Sequence, residues 1–117
     1  VVGVHLAKAA LERPRPPAPL VETAGFSYPS GHAAYAVCWI AIAVALRRAF
    51  PRLATKAVVL AAAVALAALV GLTRIVLRAH WFSDVAGGWG LAATTFSLCG
   101  LVALVAGYAL SARRRSA

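Results

Sequence analysis

Residues 57–84 read AVVLAAAVALAALVGLTRIVLRAHWFSD. No charge interrupts positions 57–73, and an uncharged apolar run of this kind approaches what a helix needs to cross a hydrocarbon core of about 30 Å. Polar chemistry begins where the run stops: Arg74, Arg78, His80 and Asp84 follow in quick succession. The stretch predicts a membrane span whose end carries a site.

Downstream, residues 85–112 form a second apolar run, long enough to cross with tilt, that ends at Arg113, Arg114 and Arg115. Upstream, residues 30–48 contain an uncharged part, 33–46, that is short for a bilayer, so this span uses its polar ends and snorkelling arginines. Residues 1–12 read as the end of a further helix. The expected fold class is all-α, a polytopic transmembrane helix bundle forming one domain over residues 1–117, with spans near 1–12 in part, 30–48, 56–74 and 85–112. Because the sequence begins at Val1 inside an apolar stretch, further helices are expected upstream.

Composition agrees with a membrane protein. Hydrophobic residues make up 62% of the chain and charged residues 13%, against roughly 25% charged in an ordinary soluble domain; the mean hydropathy is +0.83. A net charge of +9 would suggest nucleic acid in a polar protein. Here the basic residues sit at the ends of apolar segments or within polar clusters, so the expected partners are the bilayer and an anionic lipid, not nucleic acid. Cys38 and Cys99 lie isolated in apolar runs without metal-ligand spacing and read as packing residues. The sequence leaves the oligomeric state open.

Pro14, Pro16, Pro17 and Pro19 cannot continue the first helix, since proline lacks the amide donor, and a loop is predicted to about Tyr28. Pro29-Ser30-Gly31-His32 then opens a helix, with serine as a favoured cap. Arg47, Arg48, Arg52 and Lys56 share the next turn, and Arg113, Arg114 and Arg115 emerge on the same side after two more crossings. The positive-inside rule makes that side cytoplasmic. The polar clusters fall on the opposite side, although Lys8, Arg13, Arg15, Arg74 and Arg78 make that side basic too.

His80 and Asp84 are spaced i, i+4, which puts them on one face if the segment is helical. A carboxylate accepting from one imidazole nitrogen fixes the tautomer and leaves the other nitrogen free to attack. The pair reads equally as an interfacial histidine beside Trp81, with Asp84 capping the last helix. Ser30 and Gly31 at a helix start offer an anion site, where free amides and the helix dipole meet a glycine that lets a phosphate approach. His32 beside them is suited to protonating a leaving oxygen, or is an ordinary buried histidine after a cap. Lys8, Arg15 and Arg74 are costly near hydrocarbon, and three cations from separate segments suggest a shared anion; each alone also reads as a snorkelling headgroup contact. Glu12, Glu22, Arg13 and Arg78 read as solvated or headgroup-facing. With three acidic residues in the whole chain, a carboxylate-held magnesium is disfavoured, and neither metal nor cofactor is expected.

With these residues in view, the chain resembles the type 2 phosphatidic acid phosphatase superfamily, which also includes vanadium haloperoxidases and glucose-6-phosphatase. That signature has three parts. Lys8 followed after six residues by Arg15-Pro16 fits the first, Pro29-Ser30-Gly31-His32 the second, and Arg74, five residues, His80, three residues and Asp84 the third. The resemblance implies a six-span helical fold of which this chain holds the later half. It also implies that His80 is a nucleophile forming a phosphohistidine, Asp84 its orienting partner and His32 the acid for the leaving group, with Lys8, Arg15, Ser30, Gly31 and Arg74 holding phosphate oxygens. Thr73 stands where serine is usual but keeps a hydroxyl. Arg78 stands where a small residue is common and offers a contact to a diphosphate or headgroup.

The function expected from this resemblance is metal-independent hydrolysis of a lipid phosphate by a multi-pass protein of the cell membrane, with its site on the extracytoplasmic side. Candidate substrates are polyprenyl diphosphate carriers such as undecaprenyl diphosphate, phosphatidic acid and phosphatidylglycerol phosphate. Ala-, Val- and Arg-rich usage looks bacterial and favours the polyprenyl diphosphate by association. A haloperoxidase of the same fold is disfavoured by the spans, since those relatives are soluble. A non-catalytic protein that binds anionic lipid through the same residues is the alternative from another class.

Overall fold

The computed structural model describes residues 2–115, and the regular structure among them is helical throughout. Helix α1 covers Val2–Leu11, α2 Gly31–Leu46, α3 Leu53–Val76 and α4 Phe82–Arg115; a 3-10 turn, Arg47–Ala49, extends α2. Gly31–Ala49, Leu53–Val76 and Phe82–Arg115 are long and apolar enough to cross a membrane. At 1.5 Å per residue the 34-residue α4 is about 51 Å long, more than one hydrocarbon core. Two helices begin three residues before the expected 56 and 85. Helix α3 starts as soon as Pro51 is passed, with Arg52 still extended at φ −88° and ψ 133°. Helix α4 starts early because the Asp84 carboxylate, inside its first turn, accepts from the Trp81 amide at 2.8 Å and satisfies a donor there.

Helix α2 is the centre of the molecule, packed on one side by α3 and on another by α4, while α1 leans against α4. The buried positions are mostly small: Ala33, Ala34, Ala36 and Ala43 on α2, Ala63, Ala67 and Gly71 on α3, Gly88 and Ala92 on α4. Large apolar side chains such as Trp39, Leu69, Leu104 and Tyr108 point outward. This is the reverse of a soluble core and follows from the bilayer as solvent, where close backbone approach, not burial of leucine, holds helices together. Two glycines make that approach possible. A β-carbon on Gly88 would stand 2.4 Å from the Ser30 carbonyl oxygen, and one on Gly71 would stand 2.4 Å from the Trp89 ring. Cys38 is half-buried and Cys99 exposed on α4.

The proline-rich segment 12–30 crosses the end of this bundle and is tied to it by backbone hydrogen bonds. The Leu20 amide donates to the Leu77 carbonyl at 3.0 Å, Ser27 to Arg13 at 2.8 Å and Ser30 to Asp84 at 2.9 Å. These bonds bring the C-terminal end of α1, the start of α2 and the α3–α4 turn to one place.

Candidate active site

At that place lies a cavity of about 320 Å³. Lys8 reaches it from the last turn of α1, Arg15 from the proline-rich segment, Gly31 and His32 from the start of α2, Arg74 from the last turn of α3 and His80 from the α3–α4 turn. Six of the eight residues singled out from the sequence therefore share one wall, joined at the rim by His5, Glu22 and Tyr35. The other two stand behind it. Ser30 is fully buried, and its hydroxyl accepts from the Ala33 amide at 3.5 Å as the cap of α2. Asp84 is also fully buried, beneath His80.

His80 is not on a helix: it lies in the turn before α4, and its amide, like that of Ala79, donates to the Arg74 carbonyl. The predicted pairing with Asp84 arises without the helical face that the spacing suggested. His80 Nδ1 stands 3.4 Å from Asp84 Oδ2, longer than a full hydrogen bond, and makes no other. Catalytic contacts of this type commonly shorten when substrate binds. The Asp84 carboxylate is meanwhile held on every side: Oδ2 accepts from Ser27 Oγ and the Trp81 amide, and Oδ1 from Arg13 Nη1 at 2.8 Å. Burial pushes the His80 pKa below the ordinary imidazole value; nearby Arg15 and Lys8 push the same way, and Asp84 opposes them. A neutral imidazole whose Nδ1 faces a fixed carboxylate presents Nε2 as a lone pair, which is the condition for attack on an electrophile.

The cations are anchored by the loop above them. Arg15 donates to the carbonyls of Gly25 at 2.9 Å, Ala24 at 2.6 Å and Ala79 at 2.8 Å, and Lys8 Nζ donates to the carbonyls of Phe26 and Ser27. Arg74 is held more loosely, with Nε 3.5 Å from Thr73 Oγ1. The positive charges of Lys8, Arg15 and Arg74 converge on one concave surface beside His80.

Two residues of the site escape a reading from sequence alone. Arg13, expected to be solvated or headgroup-facing, instead pairs with Asp84, donates to Ser83 Oγ at 2.6 Å and lies over the Trp81 ring at 5.8 Å. Nothing in the proline-flanked stretch around it marks that role. Ser27 carries no signal either; it meets Asp84 across 57 residues of chain. Glu22 is exposed as expected, yet lies on the cavity rim.

Residues 1–108 match the PAP2 superfamily. The chain belongs to that superfamily. It is 42% identical over 94 residues to phosphatidylglycerophosphatase B of Bacillus subtilis (strain 168), an alignment covering 78% of this chain and 46% of the relative. Its fold superposes with a TM-score of 0.76 on a crystal structure described as the first transmembrane PAP2 type phosphatidylglycerolphosphate phosphatase from Bacillus subtilis, at 39% identity over 83% of this chain and 50% of that one. This PAP2 chain thus spans about half the length of the relatives it matches.

Proposed function

We propose that this PAP2 chain carries the catalytic half of a membrane phosphatase that removes a terminal phosphate from a lipid, and that helices upstream of residue 1 complete its bundle. The observation that carries the proposal is the buried pair His80 and Asp84 set against the joint wall of Lys8, Arg15 and Arg74. In the proposed reaction His80 Nε2 attacks phosphorus in line, while Asp84 steadies the imidazole through Nδ1. The phosphorus–oxygen bond to the lipid breaks as His32 gives its proton to the departing oxygen. The three cations and the amides near Gly31 stabilise the equatorial oxygens, the electrostatic contribution that dominates phosphoryl transfer. Water, losing its proton to His32, then attacks the phosphohistidine, releasing inorganic phosphate and restoring both histidines.

Phosphatidylglycerol phosphate is placed ahead of polyprenyl diphosphate and phosphatidic acid, because both relatives are named for that substrate. The distribution of Arg47, Arg48, Arg52, Lys56 and the terminal arginines supports a multi-pass topology with the site on the extracytoplasmic side. The test is phosphate release by the full-length protein in detergent, with chelator present, from these three lipids, alongside His80→Ala. Release that persists with chelator and vanishes in His80→Ala, together with a trapped phosphoenzyme in the parent alone, supports the proposal. No release from any lipid by folded protein, or a phosphoenzyme that survives His80→Ala, overturns it.

A further inference from the structure

Helix α3 ends in a pattern of hydrogen bonds that ordinarily calls for glycine. The Ala79 amide donates back to the Arg74 carbonyl at 3.0 Å and the Arg78 amide to the Ile75 carbonyl at 2.9 Å, the paired closure that places the residue after the cap in the left-handed region. That residue is Arg78, at φ 52°. A β-carbon there costs about 1–2 kcal/mol, and strained positions of this kind tend to persist where the side chain has work to do.

Arg78 lines a second cavity, of about 300 Å³, with Pro16, Pro17, Ile75, Trp81 and Phe82. His80 also belongs to its wall, and is the one residue that this cavity shares with the cavity of Lys8, Arg15 and Arg74. Among the described residues no carbonyl, carboxylate or hydroxyl accepts from the Arg78 guanidinium, and no acidic residue stands in the wall to compensate it. Trp81 and Phe82 are exposed beside it, the aromatic pairing expected where a membrane surface meets water. A cation flanked by proline and aromatic faces, next to the imidazole, suits the anionic part of an amphiphile whose terminal phosphate occupies the first cavity.

We propose that this second cavity is a subsite for a second phosphate group of the same lipid, held by Arg78. The inference rests on the reading of the first cavity as the site of phosphate removal. It makes the substrate class a phosphodiester lipid with a phosphorylated headgroup, over a lipid monophosphate; in a lipid diphosphate the second phosphorus bears the departing oxygen itself and stays with His32, in line and opposite His80. Arginine is suited to the role because its planar fork can hold two phosphate oxygens at once.

The experiment compares the full-length protein with Arg78→Gly and Arg78→Lys on phosphatidylglycerol phosphate, a polyprenyl diphosphate and phosphatidic acid in uncharged detergent. Glycine relieves the left-handed strain, so the variant melts no lower than the parent. The expected result is a KM raised about 10- to 100-fold for phosphatidylglycerol phosphate in Arg78→Gly, from loss of hydrogen bonds to a charged group, with the polyprenyl diphosphate and phosphatidic acid changed less than about twofold and Arg78→Lys in between. A loss confined to the polyprenyl diphosphate, equal losses on all three lipids, or none, overturn the subsite. Should the parent release phosphate from no lipid, the reading of the first cavity fails, and the same three lipids are compared by binding. Selective weakening of phosphatidylglycerol phosphate in Arg78→Gly then still supports the subsite, and any other pattern overturns it.

Discussion

Arg13 Nη1 lies 2.8 Å from Asp84 Oδ1, joining residues 71 positions apart behind the imidazole of His80. Asp84 is fully buried, whereas the Arg13 side chain is 37% exposed, so the arginine supplies charge to the carboxylate from the solvent side. Arg13 is absent from the wall of the cavity and should leave substrate binding alone. Arg13→Ala is expected to lower kcat about 10- to 100-fold with KM changed less than about threefold, the size of effect found when an outer partner that orients a catalytic ligand is removed. Arg13→Lys should recover part of the loss. Steady-state kinetics on detergent-solubilised protein check this; a rise in KM with kcat intact would make Arg13 a substrate contact instead.

Ser27 donates to the other oxygen of the same carboxylate, and its own amide is held by the Arg13 carbonyl. The hydroxyl is fully buried. Ser27→Ala leaves Oδ2 with the Trp81 amide and the His80 contact, so a loss of about 1–2 kcal/mol in stability is expected from one charge-assisted bond. Because the freed oxygen can turn toward Nδ1, activity should fall less than in Arg13→Ala. Thermal unfolding in detergent and phosphate release measured on one preparation would separate the two effects.

These two residues mark where reading from sequence stopped. The helices were legible because each is an apolar run bounded by proline, glycine or a cluster of charge, and the terminal polar clusters were legible because charge near hydrocarbon needs a reason. Lys8, Arg15, His32, Arg74 and His80 could be assigned to one site on those grounds. Arg13 and Ser27 sit in a loop without periodicity, and their contacts close over 71 and 57 residues. The pairing of His80 with Asp84 was anticipated from helical spacing, yet the turn closing α3 delivers it, since the Arg74 carbonyl holds the amides of Ala79 and His80. Arg78 could be seen as an unusual residue, but only the backbone reveals that it occupies a left-handed position.

The surroundings of His80 fix the direction of a pH effect. Burial, Arg15 and Lys8 lower its pKa, so the neutral imidazole survives as pH falls through the ordinary value of about 6.5 and is lost only below it. The acid limb of kcat/KM assigned to His80 is therefore expected below pH about 6.5. Arg15→Gln removes one of the depressing charges and should move that limb to higher pH while lowering the rate. Ionisation of the phosphate ester used in the assay is common to parent and variant and cancels in the comparison. A limb that stays in place, or moves to lower pH, would take the titration away from His80.

The approach of α2 to α4 governs whether the site assembles at all. Gly88 faces the Ser30 carbonyl so closely that a β-carbon would stand 2.4 Å from it, with the Ala34 amide nitrogen at 3.2 Å. Both neighbours are backbone and cannot swing aside, so Gly88→Ala must push the helix starts apart. That shift would stretch the bond from the Ser30 amide to the Asp84 carbonyl and carry Asp84 away from its partners. Overpacking of this kind costs about 1–3 kcal/mol, and the loss of activity should exceed the loss of folded protein because geometry fails before the bundle does. Gly90 on the same helix has open space where its β-carbon would stand. Gly90→Ala should be neutral or stabilise by up to about 1 kcal/mol through helix propensity alone. Melting temperature and phosphate release for the two variants give the comparison, and equal behaviour at positions 88 and 90 would show that close helix packing is not what holds the site.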